Sequence, residues 1–426
     1  MSHIVPDSQS TCRHCRQPLQ HTFVDLGMSP LCESFVAPDR LDAMEPYYPL
    51  HVLVCGSCFL VQLKEYVSPE HIFSDYAYLS SYSTSWVAHA KTYCGMIKNR
   101  FGLGAESLVV ELACNDGYLL QHFGPLGVPV LGVEPAANVA KLAEEKGIPT
   151  ISAFFGTGLA KQLVLEGRAA DLIVANNVLA HVPDINDFVN GIGCLLKPNG
   201  VATLEFPHIE RLMAENQFDT IYHEHFSYLS ATVVERIART HGLRLFDVEM
   251  LSTHGGSLRV YLSHQGSHHQ TSARVLDLVE REDRLGLQSL HGYSSFPEKV
   301  KQTKRELLSF LIAAKREGKR ICGYGAPGKG NTLLNYCGIG TDFLDFTVDR
   351  NPHKHGRYTP GMHIPIRPVE EINATRPDYI LILPWNLKNE IVEQMSHVGD
   401  WGAKFVVPIP TVEILDPQAR PAAPVT

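Results

Sequence analysis

Four cysteines stand in two pairs, Cys12-x-x-Cys15 and Cys55-x-x-Cys58. A CxxC turn offers two thiolates to one ion, and two such turns complete a tetrahedral zinc shell with no open position. The closed set predicts a structural zinc; four unrelated thiols or a redox dithiol are the competing readings. Cys32 lies between the pairs as a spare ligand, and His14 reads as a turn residue. A second cluster is Tyr222-His223-Glu224-His225. Imidazole, carboxylate and phenol in one run can supply a base, a group that supports it and a donor to an oxyanion. A metal shared by alternate histidines and a solvated loop are its rivals. Tyr76-x-Tyr78-x-Ser80-Ser81-Tyr82-Ser83 is a third polar-aromatic run, and His181 is a lone candidate as fit for structure as for catalysis.

These residues need elements to position them. Ser107–Ala113 is a continuous apolar run, as expected of a strand buried on both faces. Further strands are predicted at Val130–Glu134, Thr150–Phe155, Asp171–Asn176 and Val201–Phe206. Helices are predicted at Tyr118–Gly127, Ala136–Lys146, about Asn186–Leu196 and Ala231–Thr240, and strands at Leu243–Met250 and Ser257–Ser263 close the block. This alternation predicts an α/β fold with a doubly wound parallel sheet. Tyr222–His225 and His181 then fall at the strands' C-terminal edge, where such sheets bind ligands. A charged helical stretch, Ala273–Lys319, leads to a second alternating block that ends near Ile414. The expected organisation is a zinc-binding region over residues 1–70, a sheet domain over 71–265, and a helical linker with a second α/β domain over 266–426.

Two turns compete for a cofactor. Glu111-Leu112-Ala113-Cys114-Asn115-Asp116-Gly117 follows the first strand of the block and resembles motif I of S-adenosylmethionine (SAM) methyltransferases, with Ala113 and Asn115 where glycines are common. Glu134, ending the next strand, is placed to accept hydrogen bonds from ribose hydroxyls, and Asn176 and Asn177 would flank the cofactor; a helix-terminal acid is the other reading of Glu134. Gly323-Tyr324-Gly325-Ala326-Pro327-Gly328 is a full GxGxxG with Asp349 at the end of the following strand, which by itself reads as NAD binding. Plain helix-on-strand packing, or a diphosphate held by the helix N-terminus with Lys329 and Asn331, explains it equally.

The chain has 426 residues with 37 Lys+Arg against 45 Asp+Glu, a net charge of −8. At about 150 residues per domain this means two or three domains. The acidic balance speaks against nucleic acid as a partner. No 18-residue apolar run predicts a membrane span, no secretory leader is recognised, and ten cysteines, four of them in CxxC pairs, suggest a reducing cytoplasm. The oligomeric state is left open.

Taken with YAYLSSYSTSW (Tyr76–Trp86), VVELACNDGYLL (Val109–Leu120), YHEHFSYLS (Tyr222–Ser230), HGGSLRVYL (His254–Leu262) and YGAPGKGNTLLNY (Tyr324–Tyr336), the chain resembles the zinc-containing, SAM-dependent C-methyltransferases of deoxysugar and antibiotic biosynthesis. The resemblance implies a zinc domain, a Class I (Rossmann-like) methyltransferase domain and a C-terminal Rossmann-like domain, with the nucleotide sugar between the last two. It implies SAM and zinc as cofactors and, as substrate, a dTDP-linked 3-amino-4-keto-2,3,6-trideoxysugar methylated at C3′. Tyr76, Tyr222, Glu224 and His225 would line the sugar, with Tyr78 and Ser80 touching substrate. Carbon needs activation: His225 is expected to remove the C3 proton to give an enolate, Glu224 to support it, and Tyr222, His181 or Tyr76 to donate to O4. An NAD-dependent nucleotide-sugar oxidoreductase and a non-catalytic zinc-bearing sugar-nucleotide binding protein are the alternatives.

Overall fold

The computed structural model describes residues 10–68 and 79–417, so Tyr76 and Tyr78 lie outside the described residues. The chain divides into two compact units whose segments interleave. One gathers the described residues up to His21 with Leu53–Ile209 and Glu224–Tyr293; the other gathers Thr22–Val52, Glu210–His223 and the described residues from Ser294 onward. Chain order begins with the neighbouring strands β1 (His21–Ser29) and β2 (Tyr48–Val54), followed by β3 (Val61–Leu63).

The first unit continues with α1 (Thr84–Phe101), β4 (Val109–Leu112), β5 (Val130–Val133), α2 (Ala137–Glu145), β6 (Thr150–Ile151), α3 (Thr157–Leu165), β7 (Ala170–Asn176), α4 (Ile185–Leu195) and β8 (Leu196–Pro207). Helix α5 (Ile209–Ala214) leads out of it, and β9 (Ser227–Tyr228), α6 (Ala231–Thr240), β10 (Leu243–Leu251), β11 (Ser257–His264) and α7 (Ala273–Arg284) complete it. The sheet order is β10-β11-β8-β7-β4-β5-β6. Strands β4 to β8 are parallel, and β11 is antiparallel to both β8 and β10. This is the Class I methyltransferase order with its terminal hairpin. Alternate residues of the apolar runs feed two cores. Val109, Leu172 and Val174 join Trp86 and Tyr93 of α1, whereas Val110, Ile173 and Ala175 join α3, α4 and α6. A strand buried on both faces has no polar side to alternate with, hence the continuous runs.

Two expected elements differ. Tyr118–Gly127 forms two 3-10 turns, Leu120–His122 and Gly124–Leu126, not one helix. Pro125 disfavours helical backbone at the residue before it, and Gly127 turns left-handed at φ 69°. The strand expected over Thr150–Phe155 stops at Ile151, at the sheet's edge, and α3, not anticipated, begins after Gly156. The charged helical stretch is α7 and a separate helix, α8 (Phe296–Arg316), with a 3-10 turn between them.

The second unit carries α8, β12 (Ile321–Tyr324), α9 (Gly328–Cys337), β13 (Thr347–Val348), β14 (Ile366–Arg367), α10 (Glu371–Thr375), β15 (Tyr379–Ile382), α11 (Lys388–Gln394), β16 (Lys404–Val407) and β17 (Glu413–Leu415). The order is β14-β13-β12-β15-β16-β17, parallel except for β17. The winding reverses between β12 and β15, so this sheet's topological switch point lies there.

One buried tie fixes the first unit's C-terminal edge. Glu282 of α7 accepts the Ala231 and Thr232 N–H groups at the start of α6 (2.7 and 2.8 Å), the Thr232 hydroxyl (2.6 Å) and His208 Nε2 (2.7 Å). Both side chains of the Glu282–His208 pair are fully buried. Burial alone would push the Glu282 carboxyl up; the bonds from His208 and Thr232 outweigh it and hold the carboxyl below its ordinary range. Removing one partner of such a pair strands the other. Glu282→Ala is therefore expected to lower the unfolding free energy in urea by about 3 kcal/mol or more; a loss below about 1 kcal/mol would mean that the tie contributes little.

Candidate active site

The zinc centre is preformed. The four sulfurs of Cys12, Cys15, Cys55 and Cys58 lie within 4.8 Å of one another, with Cys12–Cys58 at 3.5 Å and Cys15–Cys55 at 3.4 Å. Zinc–sulfur bonds of about 2.3 Å in a tetrahedron require sulfurs about 3.8 Å apart, which these spacings bracket. Each CxxC turn is followed by a left-handed residue, Arg16 and Phe59, both at φ 62°. Backbone N–H groups of Ser57 and Cys58 point at Cys55 Sγ, and Gln62 Nε2 donates to Cys12 Sγ at 3.2 Å, as thiolate ligands favour. Cys32 belongs to the other unit, where Gly328 packs against it, and His14 bonds Asn186 at the start of α4. Arg13 reaches the carbonyls of Leu63 and Pro183, so the first zinc turn is anchored beside the β7–α4 loop that carries His181.

The motif I turn explains its unusual residues. Ala113, Asn115 and Gly117 all have left-handed backbone, at φ 53°, 50° and 77°. Glycine is the unstrained residue there; asparagine tolerates the region and alanine costs about 1–2 kcal/mol. Glu134 Oε2 accepts the Asn115 N–H and Oε1 the Ala136 N–H, both at 2.9 Å, leaving a second lone pair on each oxygen. The Ser80 N–H donates to Asn115 Oδ1 at 2.9 Å, and Lys146 Nζ joins Ser81, Asp116 O and Asp116 Oδ2. Glu111 is buried; desolvation, then the Glu134 charge, hold its carboxyl well above the ordinary range. Glu111 Oε2, Asn176 Oδ1 and Asn177 Oδ1 are buried acceptors without a hydrogen-bond partner. Acceptors at the C-terminal ends of β4, β5 and β7 fit a ligand rich in hydroxyl and amino donors. That is the donor set of SAM.

The structure brings His181 and His225 together. The Phe226 N–H donates to Ala180 O at 2.7 Å, and Phe226 O accepts from Leu63 N–H at 3.0 Å. The two imidazoles meet edge to face at 4.6 Å, and Tyr228 stands 6.2 Å from His225. Desolvation brings His181 down to about 4, only partly opposed by its hydrogen bond to the Glu224 backbone. It is neutral at physiological pH and a poor base. Glu224 and His225 are nearly buried. His223 turns elsewhere: it packs in the second unit, its ring 5.8 Å from Tyr48, and burial lowers its basicity. Among the described residues, the four cysteines are the one group of three or more side chains close enough to share a metal, so a metal on the alternate histidines finds no support. Sequence reasoning passed over Trp86, which stacks on Tyr118 at 5.9 Å and meets His254 edge-on at 4.9 Å. The aromatic within YSTSW was its one visible signal.

The second glycine turn is filled by the protein. Asp349 accepts the Ala326 and Asn351 N–H groups at 2.7 and 2.8 Å, so the acid expected to take a ribose holds the turn itself. A Cβ at Gly325 would meet Pro384 Cδ at 2.6 Å, and one at Gly323 would meet Thr347 Oγ1 at 2.5 Å. Gly328 N–H faces the Glu33 carboxylate. Asn331, expected to bind substrate, is buried and donates to Cys32 O at 2.6 Å. Lys329 donates to Asn386 Oδ1 at 2.8 Å and lies over the Trp385 ring.

Comparison with known proteins finds three family matches along the chain. Residues 12–73 match a zinc binding domain family, residues 86–248 a methyltransferase domain family and residues 252–410 a C-methyltransferase C-terminal domain family. The C-methyltransferase NovU of Streptomyces niveus is 34% identical over 411 residues, covering 96% of this chain and 97% of NovU. A ubiquinone biosynthesis O-methyltransferase of Bartonella tribocorum is 34% identical over 102 residues, covering 22% of this chain and 40% of that enzyme.

Metal analysis of the purified protein should give one zinc per chain. Cys55→Ser should abolish that stoichiometry and lower the melting temperature by several degrees or more; a variant that keeps its zinc would show that the ion is held elsewhere.

Proposed function

We propose, from the premise that the chain belongs to the zinc-containing, SAM-dependent C-methyltransferase family, that it methylates C3′ of a dTDP-linked 3-amino-4-keto-2,3,6-trideoxysugar through an enolate. The observation that carries the reading is the His181–His225 pair, which follows β7 at the same sheet edge as Asn176 and Asn177. When bound, SAM supplies an electrophilic methyl group on a sulfonium. The protein makes the carbon nucleophile. His225 removes the C3 proton; the electron pair moves into the C3–C4 bond, and charge develops on O4. His181, neutral and fixed by the Glu224 carbonyl, orients His225 without competing for the proton. Tyr222 is the donor proposed for O4, and one such donor is worth about 2.7–4 kcal/mol of barrier. Glu111, Ala113, Asn115, Gly117, Glu134, Asn176 and Asn177 are the residues proposed to hold SAM. Lys329 and Asn331 each keep an N–H beyond the bonds to Asn386 and Cys32 and stay candidates for a diphosphate, and Ser80 stays a substrate-side candidate through its tie to Asn115.

None of the ten cysteines forms a disulfide, and among the described residues no helix is long and apolar enough to cross a membrane. The thiols support placing the reaction in the cytoplasm, and the sugar chemistry suits deoxysugar and antibiotic biosynthesis.

Incubation of the dTDP-ketosugar with protein and SAM should add one methylene to the sugar fragment in a mass spectrum. No SAM-dependent gain would reject the substrate. Histidine roles separate by pH. A base at about 4, as His181 is, would put an acidic limb in kcat/KM there, and a limb at higher pH belongs to another group. His225→Asn should keep SAM binding and lose at least about 100-fold in turnover, whereas His181→Asn should keep the limb at a reduced rate. The limb surviving in His225→Asn at near-normal turnover would remove His225 as the base.

A further inference from the structure

The switch point of the second unit, between β12 and β15, is where an open α/β sheet holds its ligand. Here it holds a turn of the chain itself. The turn runs from Asn216 to Ile221, directly before Tyr222, and Asn216 is left-handed at φ 53°. Three polar anchors grip it, all within the same unit. Asn216 Nδ2 donates to Thr303 Oγ1 of α8 at 2.6 Å and to Lys299 O at 3.2 Å. Asp219 Oδ2 accepts from Trp385 Nε1 at 2.7 Å, just past β15. Ile221 O accepts from Thr332 Oγ1 of α9 at 3.1 Å. The Phe218 ring also meets Tyr336 edge-on at 5.4 Å.

Asp219 is fully buried, and its Oδ1 has no hydrogen-bond partner. Its charge faces Lys329, whose ammonium rests on Trp385 and Asn386. Burial pushes the Asp219 carboxyl up to about 7 against the pull of Lys329. An acid held in that setting, where an alanine would cost nothing in desolvation, is explained by what it anchors.

We propose that the second glycine motif, with Trp385 and Asp219, works as a clamp that positions Tyr222 for the reaction, and that Asp219, Trp385 and Thr332 are positioning residues. The GxGxxG turn lets α9 start close against β12 and Pro384, so that Thr332 and Lys329 face the Phe218–Ile221 turn. The role rests on the reading of Tyr222 as an oxyanion donor; the clamp itself does not.

The test compares Asp219→Ala, Asp219→Asn, Trp385→Phe and Thr332→Val with the native full-length chain. Hydrogen exchange read by mass spectrometry should quicken at least tenfold in a peptide covering residues 217–223 for Asp219→Ala and Trp385→Phe, with β12 and β15 unchanged. In turnover, Asp219→Ala should lose at least 30-fold in kcat and Thr332→Val several-fold, with the sugar KM and SAM affinity within threefold. Asp219→Asn keeps the acceptor for Trp385 and should recover at least a third of native kcat. Unchanged exchange in the 217–223 peptide overturns the clamp. Quickened exchange with native kcat overturns the catalytic role. If the native chain fails to methylate the ketosugar, the substrate reading fails, and the exchange arm still decides the clamp. Should Asp219→Ala not fold, Trp385→Phe and Thr332→Val carry both arms.

Discussion

A loop that is buried must find partners for every backbone N–H and C=O it takes out of water. The stretch from Asn216 to Ser230 has little regular structure, yet nearly all of it is buried. Main-chain bonds and the Thr332 hydroxyl serve that requirement, and the side chains of Asn216 and Asp219 add anchors of their own. Thr303, Trp385 and Thr332 hold its first part; Ala180, Leu63 and Ile209 hold its last part through main-chain bonds; Glu282 then caps the helix that follows. Desolvation makes each bond more valuable than it would be in water and makes each omission costly. The side chains proposed to react inherit their positions from this buried backbone.

The two glycine turns show how one local geometry serves opposite ends. Beside the turn after β4 stand buried acceptors that the protein leaves open, Asn177 Oδ1 among them. At the turn after β12 the protein takes up most of the key groups itself, Asn331 Oδ1 excepted. Asp349 holds the turn, Glu33 faces the helix start and Asn331 holds Cys32. A glycine pattern reports that a backbone comes close to something; only the partners decide whether that is a cofactor or another part of the chain.

That difference marks what could be read from the sequence. Periodicity shows β4, β5, β7 and β8 well, because burial on both faces leaves a long apolar run. The zinc ligands follow from spacing alone, and motif I is recognisable although alanine and asparagine occupy two left-handed positions. The edge strand β6 and the turns around Pro125 were overcalled, since short edge segments and proline breaks weaken any pattern. The anchors of the buried loop had no local signature at all. Asp219 and Trp385 are 166 residues apart, and neither belongs to a motif. Residues 22–52 and 210–223 group with the C-terminal half through folding that no composition shift announces.

The zinc site has a topological consequence. The chain leaves the first unit just after Cys15 and comes back just before Cys55, so the metal closes the ring through which Thr22–Val52 is lent to the second unit. A cross-link of that span removes chain entropy worth roughly 4 kcal/mol by the loop-closure estimate used for disulfides. Unlike a disulfide it withstands a reducing environment, and it rearranges by ligand exchange without electron transfer. The excursion is thus a tethered insertion whose two stems are joined at birth by an ion, and its length can drift in evolution at little entropic penalty while the four thiolates stay in place.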